Sequence, residues 1–448
     1  MRGRREPSGL MNLAERLVRF GKAQGADEIE VSVVEGTEFN VDVRHGRIEN
    51  LVEAGSRYLG IRVIKEKKMA FATSSDLSED SLQRLIKNAI QRAEFASSDD
   101  YAGLPYLEES ALDQSNLDIF DPEISELTSL KKIALALETE KIALSDKRIT
   151  NSHGASFETK EIKTYLANSL GFKGMYGETA FSLGVGVQAG ETDNKVEDFW
   201  SSSERHFKKL EPPEKVAQKA VARTVRQLHP RKIQTQNVPV IFEPPMTSWL
   251  LGFLFSCVSG MTVYQKLSFL ADKLGKKVGN ENITIYDDGR MCGKLGSRPF
   301  DSEGVATGQT AVIEKGLLRN FLCNTYSARK LRLRSTGNAD GASVGPNNFY
   351  LQAGESSPEA IIKSTDKGLI LTRTIGHGLN PVNGDISRGA YGLWIEGGEI
   401  AYPVSEITIA GNLGTILKQI DLVGNDLEFR GSISGPTLRI QQLTLAGE

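Results

Sequence analysis

Apolar positions along this chain recur with two periods, and the changes from one to the other mark out its elements. Leu10, Leu13, Leu17, Val18 and Phe20 carry helical spacing that stops near Gly25. Alternating stretches follow at 28–34, 38–44, 47–53, 58–65 and 69–73, with turn signals at His45-Gly46 and Gly55. They predict a meander of antiparallel strands. A second amphipathic helix is expected over 78–95, where Leu82, Leu85, Ile86, Ala89, Ile90 and Ala93 share a face. Ser78 stands where a cap would, ahead of Glu79 and Asp80. Residues 127–146 predict a third helix, 147–190 return to strands, and 213–228 predict a fourth helix ending at His229-Pro230.

The pattern breaks after Arg231-Lys232-Ile233-Gln234-Thr235, a polar stretch that closes on Val238-Pro239-Val240-Ile241-Phe242. A domain boundary is expected there. Beyond it lies one apolar helix, 246–259, and from Ile283 onward nearly everything reads as strand and turn. Ile313-Glu314-Lys315-Gly316 and Ile395-Glu396-Gly397-Gly398 each form a turn between apolar arms, the signature of a hairpin. The fold class expected is α+β. A disordered leader spans 1–10, an α/β domain with an antiparallel sheet and flanking helices spans 11–235, and a mainly-β domain carrying one apolar helix spans 236–448. A length of 448 residues suits two or more domains.

Composition narrows the partners. A net charge of -3 gives no support to direct nucleic-acid binding. The local basic run Arg329-Lys330-Leu331-Arg332-Leu333-Arg334 reads as a strand or a solvated rim rather than a phosphate site. Three separated cysteines, Cys257, Cys292 and Cys323, contain no CxxC, which fits a reducing cytoplasm. The basic start of the chain is followed by no apolar signal-peptide core. The longest apolar run, 249–258, is about half the ~20 residues that span a bilayer.

Candidate chemistry is sparse. The five histidines, His45, His153, His206, His229 and His377, include no pair three or four residues apart, so no helix face offers two imidazoles to a metal. Gly341-Ala342-Ser343-Val344-Gly345 matches GxSxG formally, but a strand rather than a helix is expected after it, which is wrong for a nucleophile elbow. Gly184-Val185-Gly186 lies inside an alternating stretch and reads as a closely packed strand. Asp287-Asp288-Gly289 is turn chemistry, and Asp301 and Glu303 read as braces of an ordered loop before they read as chemistry. The block Gly376-His377-Gly378, running on to Gly384-Asp385-Ile386-Ser387-Arg388-Gly389, combines glycines with ionisable residues between apolar arms. It predicts an ordered loop in a cleft.

Several blocks in order resemble the TldE (PmbA) branch of the TldD/PmbA family. They are Ser268-Phe269-Leu270-Ala271-Asp272-Lys273-Leu274-Gly275, Gly296-Ser297-Arg298-Pro299-Phe300-Asp301-Ser302-Glu303-Gly304, Tyr326-Ser327-Ala328-Arg329-Lys330-Leu331, Ser335-Thr336-Gly337-Asn338-Ala339, Gly384-Asp385-Ile386-Ser387-Arg388-Gly389 and Pro403-Val404-Ser405-Glu406-Ile407-Thr408-Ile409-Ala410-Gly411-Asn412-Leu413. The resemblance implies a subunit of a dimeric metalloprotease that holds unfolded or extended peptides between its subunits. In the TldD branch an HExxxH helix and a C-terminal cysteine bind zinc. The matching segments here, Ser248-Trp249-Leu250-Leu251-Gly252-Phe253-Leu254-Phe255-Ser256-Cys257 and Gly431-Ser432-Ile433-Ser434-Gly435-Pro436, carry no histidine and no C-terminal cysteine.

The resemblance therefore implies no catalytic residue and no cofactor in this chain, zinc in a TldD-like partner, and dimerisation with that partner or with a second copy. Arg298, Phe300, Asn338, His377, Asp385, Arg388 and Gly389 are the expected lining of the peptide cleft. The rival expectations are a stand-alone homodimeric hydrolase using Ser343, a cysteine or an unrecognised metal site, and a non-proteolytic modulator of DNA gyrase, the family's older label.

Overall fold

The computed structural model describes residues 7–106, 117–191 and 194–447. The first half runs α1 (Pro7–Ala23), β1 (Glu28–Arg44), β2 (Arg47–Lys65), β3 (Lys68–Ser74), α2 (Glu79–Phe95), α3 (Ser129–Leu144), β4 (Ile149–Asn168), β5 (Lys173–Ala189), β6 (Val196–Glu204) and α4 (Pro213–Val225). Its six strands form one antiparallel sheet in the order β3-β2-β1-β4-β5-β6.

Two long strands and one short one stand where five short ones were expected before α2. Gly55 pairs with Thr37 inside an unbroken register, so the ladder runs through it instead of turning. The real turn is His45-Gly46, where both residues hold positive φ (51° and 71°), as a two-residue hairpin requires. Of the expected leader, residues 1–6 lie outside the described residues; 7–10 belong to α1, and Leu10 is fully buried. Ser78 takes the N-cap position of α2, but its hydroxyl makes no capping bond.

One face of the sheet takes all four helices. Ile29, Val31, Val33, Leu59 and Ile61 pack under α1 and α2. Phe39, Val41, Val43, Phe157 and Phe181 pack under α3 and α4. These β1 positions share one parity, as a strand buried on one face demands. Glu30 and Arg62, of the other parity, meet the second half of the chain.

The second half begins with β7 (Gln236–Phe242), α5 (Pro244–Val258), α6 (Gly260–Tyr264), β8 (Ile285–Asp288), β9 (Gln309–Glu314), β10 (Leu317–Leu318), α7 (Thr325–Leu331), β11 (Ala339–Asp340), β12 (Ser343–Val344) and β13 (Phe349–Leu351). It continues with α8 (Pro358–Lys363), β14 (Lys367–Ile375), β15 (Leu379–Asn380), β16 (Asp385–Glu396), β17 (Glu399–Asn412), α9 (Leu413–Gln419), β18 (Ile420–Val423), β19 (Ile433–Ser434) and β20 (Leu438–Ala446). The order β14-β7-β20-β17-β16 closes because β16 also pairs with β14, making a small barrel. A second sheet runs β10-β9-β8-β13-β19. Both expected hairpins form, β9–β10 and β16–β17, with positive φ at Lys315-Gly316 and Gly397-Gly398. β20 lies between β7 and β17, and Thr235 and Gly447, 212 residues apart, hydrogen-bond beside that pairing.

The half is less purely β than expected, because α6, α7, α8 and α9 are short helices. The basic run at 329–334 is one place where this matters. It begins in the last turn of α7, which Arg332 ends in the left-handed region (φ 58°), so it is no strand, and only its later members, Arg332 and Arg334, are exposed. Arg329 donates to the carbonyls of Tyr101 and Leu104, and Lys330 pairs with Asp99. Arg329 and Lys330 thus fasten the two halves together.

Candidate functional site

Asp287, at the end of β8, is the hub of a buried polar network. Its carboxylate accepts from Asn338 Nδ2 at 2.7 Å, from Asn347 Nδ2 at 2.9 Å and from the Asn347 N–H at 2.9 Å. Asn347 Oδ1 accepts from Arg298 Nε at 3.0 Å. Gly296 has to be glycine, because a Cβ there would lie 2.1 Å from the Asn347 carbonyl oxygen. Asp287 is therefore far more than turn chemistry. Asp301 accepts the N–H groups of Glu303, Val305 and Ala339, so this carboxylate does brace its loop.

These carboxylates have a consequence for pH. Burial pushes Asp287 up to about 6, against hydrogen bonds from Asn338 and Asn347. Burial and the neighbouring Glu303 charge push Asp301 up to about 7. A carboxyl whose folded pKa is raised favours folding while it is protonated. That contribution is complete below the ordinary value of 3.8 and is lost as pH rises through 6 and 7. The urea midpoint is expected to be higher at about pH 5 than at about pH 7.5. A midpoint that holds steady or rises would mean that the N–H donors keep both groups ionised throughout.

The expected cleft residues fall into two groups. Arg298, Phe300 and Asn338 belong to the buried network and its loop. Phe300 is 1% exposed and is packed edge-on by Phe172 and Tyr176 at 5.2 and 5.1 Å. Asn338 is wholly buried. These two side chains face inward, so what they contribute is the shape of the loop.

His377, Asp385, Arg388 and Gly389 lie along β15 and the start of β16, where Gly389 is already paired on both sides, with Ile375 of β14 and Thr408 of β17. His377 and Asp385 are exposed, and Asn383 and Asn412 donate to the Asp385 carboxylate at 2.6 and 2.9 Å. Gly378, at φ 141°, approaches the Ser387 carbonyl so closely that a Cβ would sit 1.9 Å from the oxygen. This explains the glycine at the centre of the block. Among the described residues, no hydrogen bond or ring contact joins the two groups.

This stretch does reach α5. Arg388 lies over the Trp249 ring at 5.4 Å and donates from Nε to the Ile375 carbonyl at 3.3 Å. On another side α5 packs against β19. A Cβ on Gly435 would touch Thr247 and Leu251, and one on Gly252 would approach Ile433. The two segments matched to the zinc-binding elements of the TldD branch are therefore neighbours here. Ser343 sits in the two-residue strand β12, which leads into β13 with no intervening helix, so the elbow geometry is absent.

A third feature lies where the first-half sheet meets the second half. Arg62 donates to Glu30 at 2.9 Å and to Glu303 at 2.6 Å, and Glu303 also accepts the Thr325 N–H at 2.9 Å. All three charged residues are buried. Burial raises the Glu30 pKa against the pull of Arg62. Burial draws Arg62 down, but its two carboxylates more than offset that. A cavity of about 320 Å³ opens beside this triad.

Three family domain models match the chain: PmbA/TldA metallopeptidase domain 1 over 29–93, the central domain over 122–228 and the C-terminal domain over 235–447. Metalloprotease PmbA of Escherichia coli O157:H7 is 38% identical over 429 residues, covering 96% of this chain and 93% of the relative. The chain belongs to the PmbA/TldD family. The PmbA homologue of Haemophilus influenzae is 36% identical, covering 95% of this chain and 93% of its own. Among solved structures, a Thermotoga maritima protein named for DNA gyrase modulation superposes with a TM-score of 0.90 at 27% identity, covering 98% of this chain and all of its own. TldE from Thermococcus kodakarensis shares the fold, with a TM-score of 0.85 at 23% identity over 97% and 100% of the two chains.

Zinc does not fit the residues of this PmbA/TldD member at the position its metal-bearing relatives would use. Thr247, Leu251, Ile433 and Gly435 offer no imidazole, thiolate or carboxylate. Cys257, further along α5, is wholly buried, and burial pushes its thiol up to about 12. Among the described residues, no three His, Cys, Asp or Glu side chains come together to hold a metal ion. Nor is any helix there long and apolar enough to cross a membrane.

Sequence reasoning missed Arg62, Glu30, Asn347 and the cavity. Arg62 alternates with Ile61 and Val63, so it reads as a solvent-facing strand position. Asn347 and Asn348 follow Pro346 and were informative only as the end of a helix-free GxSxG context.

Proposed function

We propose that this chain is the TldE/PmbA-like subunit of a cytoplasmic TldD/TldE-type metalloprotease. It holds unfolded or extended peptide for a partner chain that carries the zinc. The observation that carries this reading is the apolar contact between α5 and β19. The helix and the C-terminal segment are in place, but Thr247, Leu251 and Ile433 fill the contact between them. The peptide lies, in this reading, against β15, the end strand of its sheet, where main-chain pairing holds extended chains without regard to sequence. Arg388 anchors a carbonyl or carboxylate there, His377, Asp385 and Gly389 line the cleft, and Arg298, Phe300 and Asn338 shape the adjoining loop. Three free cysteines accord with a reducing compartment.

The test is reconstitution with an HExxxH-bearing sibling and a casein-type assay. Losing a charged hydrogen-bonding anchor removes about 1.5–3 kcal/mol, roughly 10- to 100-fold in kcat/KM. Arg388→Ala is expected to lower proteolysis by that much with an unchanged melting temperature. Full activity in Arg388→Ala would remove this residue from the cleft. Chelator-resistant proteolysis by this chain alone would overturn the subunit reading itself. Co-purification of gyrase with no HExxxH sibling would favour the modulator instead.

A further inference from the structure

The cavity between the two halves is lined at its inner end by Arg62, Glu303 and Asn324, each at least nine-tenths buried. Its outer walls include Phe71, Tyr101 and Tyr326. At about 320 Å³ it matches the smaller ligand pockets of proteins, and its make-up, apolar walls with a few fixed polar groups, is that of such pockets. It lies beside Met261, beyond the C-terminal end of α5, whereas Thr247 and Leu251 of the β19 contact sit in the first half of that helix. It is a different place from the one the metal-bearing branch uses.

The charges around it do not balance. Glu30 and Glu303 share the single guanidinium of Arg62, so the triad carries one more negative than positive group whenever both carboxylates are ionised, and burial, which raises the Glu30 pKa, works against that state. Behind Glu303, Asp301 and Asp287 have Arg298 as their neighbouring cation. At the mouth, Asp99 is matched by Lys330 at 3.2 Å, and Arg329 adds a positive group beside Gly103, donating to the Tyr101 and Leu104 carbonyls, so the surplus lies at the inner end. Uncompensated charge in a low-dielectric site is expensive, and a cation within reach relieves it. The aromatic walls suit such a cation as well, since ammonium and guanidinium groups are attracted to ring faces. Lys330 shows that these particular rings accept one, lying 4.3 Å from the Tyr101 centroid and 5.2 Å from that of Tyr326.

We infer that this cavity binds an organic cation on a short apolar stem: a lysine or arginine side chain, or the amino terminus of a peptide. The stem lies against Phe71 and Met69, and the cationic head takes up the surplus charge of the Glu30–Arg62–Glu303 triad through Glu303. Specificity for a basic or amino-terminal group follows, on a chain whose end strand β15 would hold peptide by its main chain alone. The inference does not depend on the pairing with a metal-bearing partner, because it is measured on this chain alone.

The experiment is calorimetric or NMR titration of the full chain with three probes. N-acetyl-lysine methylamide carries only the side-chain ammonium, trialanine amide only the α-ammonium, and N-acetyl-norleucine methylamide is a neutral counterpart of the first. At least one cationic probe is expected to bind saturably, about tenfold or more tighter than the neutral one. The stronger of the two cations identifies the source. Ala342→Trp, at an exposed position on the rim, is expected to abolish binding without changing the melting temperature. Glu303→Gln, which keeps an acceptor for the Thr325 N–H, is expected to weaken the cation at least tenfold while leaving the neutral probe unaffected. Equal binding of charged and neutral probes, unaltered binding in Ala342→Trp, or no saturable binding by either cation would each overturn the proposal.

Discussion

Arg62→Met is expected to lower folding stability by about 3–5 kcal/mol, the loss typical when one member of a buried ion pair is removed and its partners stay behind. Two carboxylates would then be left facing each other without their shared guanidinium. The triple change Glu30→Gln, Arg62→Met and Glu303→Gln should recover most of that loss. Its members are neutral, and the glutamine in place of Glu303 still offers an oxygen to the Thr325 N–H that the carboxylate serves now. Urea unfolding of the wild type, the single variant and the triple variant measures both values. A loss below about 1 kcal/mol for Arg62→Met would show that the carboxylates are already neutralised by protons. A triple variant no better than the single one would place the contribution of Arg62 in packing rather than charge.

The second large effect is expected at Asn338→Leu. Asn338 Nδ2 donates to Asp287 and to the Gly345 carbonyl, and its Oδ1 accepts from Thr336. Leucine of similar size removes all three bonds and strips a buried carboxylate of its shortest donor. Hydrogen bonds to charged groups contribute roughly 1.5–3 kcal/mol, and the orphaned acceptor adds to that, so a loss of about 3 kcal/mol is expected. Asn338→Asp is a sharper comparison, because it sets a second carboxylate against Asp287 and should be worse at neutral pH than in mild acid. A surface-like loss of about 0.5 kcal/mol or less for Asn338→Leu would show that the network repacks around leucine.

How much of this was legible depended on what kind of signal carried it. The helices at 79–95 and 213–225 announce themselves by apolar spacing, and so do the hairpins at Lys315-Gly316 and Gly397-Gly398 by turn chemistry. Strand length was not legible, because a glycine inside a ladder looks the same in sequence as a glycine at a turn. Gly55 is the instance. The short helices of the second half escaped for another reason: α7, α8 and α9 are six or seven residues long, too short to show a period.

The candidate site divides in the same way. The bracing by Asp301 could be anticipated from local composition, whereas the glycine block, expected as a loop, puts Asp385–Gly389 inside β16, because glycines within a ladder and glycines in a loop look alike in sequence. The Glu30–Arg62–Glu303 triad could not, because its members are 32 and 241 residues apart and each sits in an ordinary-looking context. Only the packing of one sheet face against a distant loop brings them together. Tyr326 and Asp99 are joined across 227 residues in the same way, by a hydrogen bond of 2.6 Å.

The placement of β20 bears on how the molecule is made. A ribosome emits β7 long before β20, yet the two strands are neighbours inside the barrel and their flanks meet across 212 residues. Until that late segment emerges, β7 and β17 each carry an open hydrogen-bonding edge, with the apolar faces of Val240, Phe242 and Ile409 unsealed. Closure over so long a loop is slow, because the chain entropy is lost before the contacts are gained. The first-half sheet has a long pairing of its own, β1 with β4 across 112 to 138 residues, but all its strands are synthesised by residue 204. The barrel therefore assembles only after translation of residues 438–446, onto a first half that has already had time to fold.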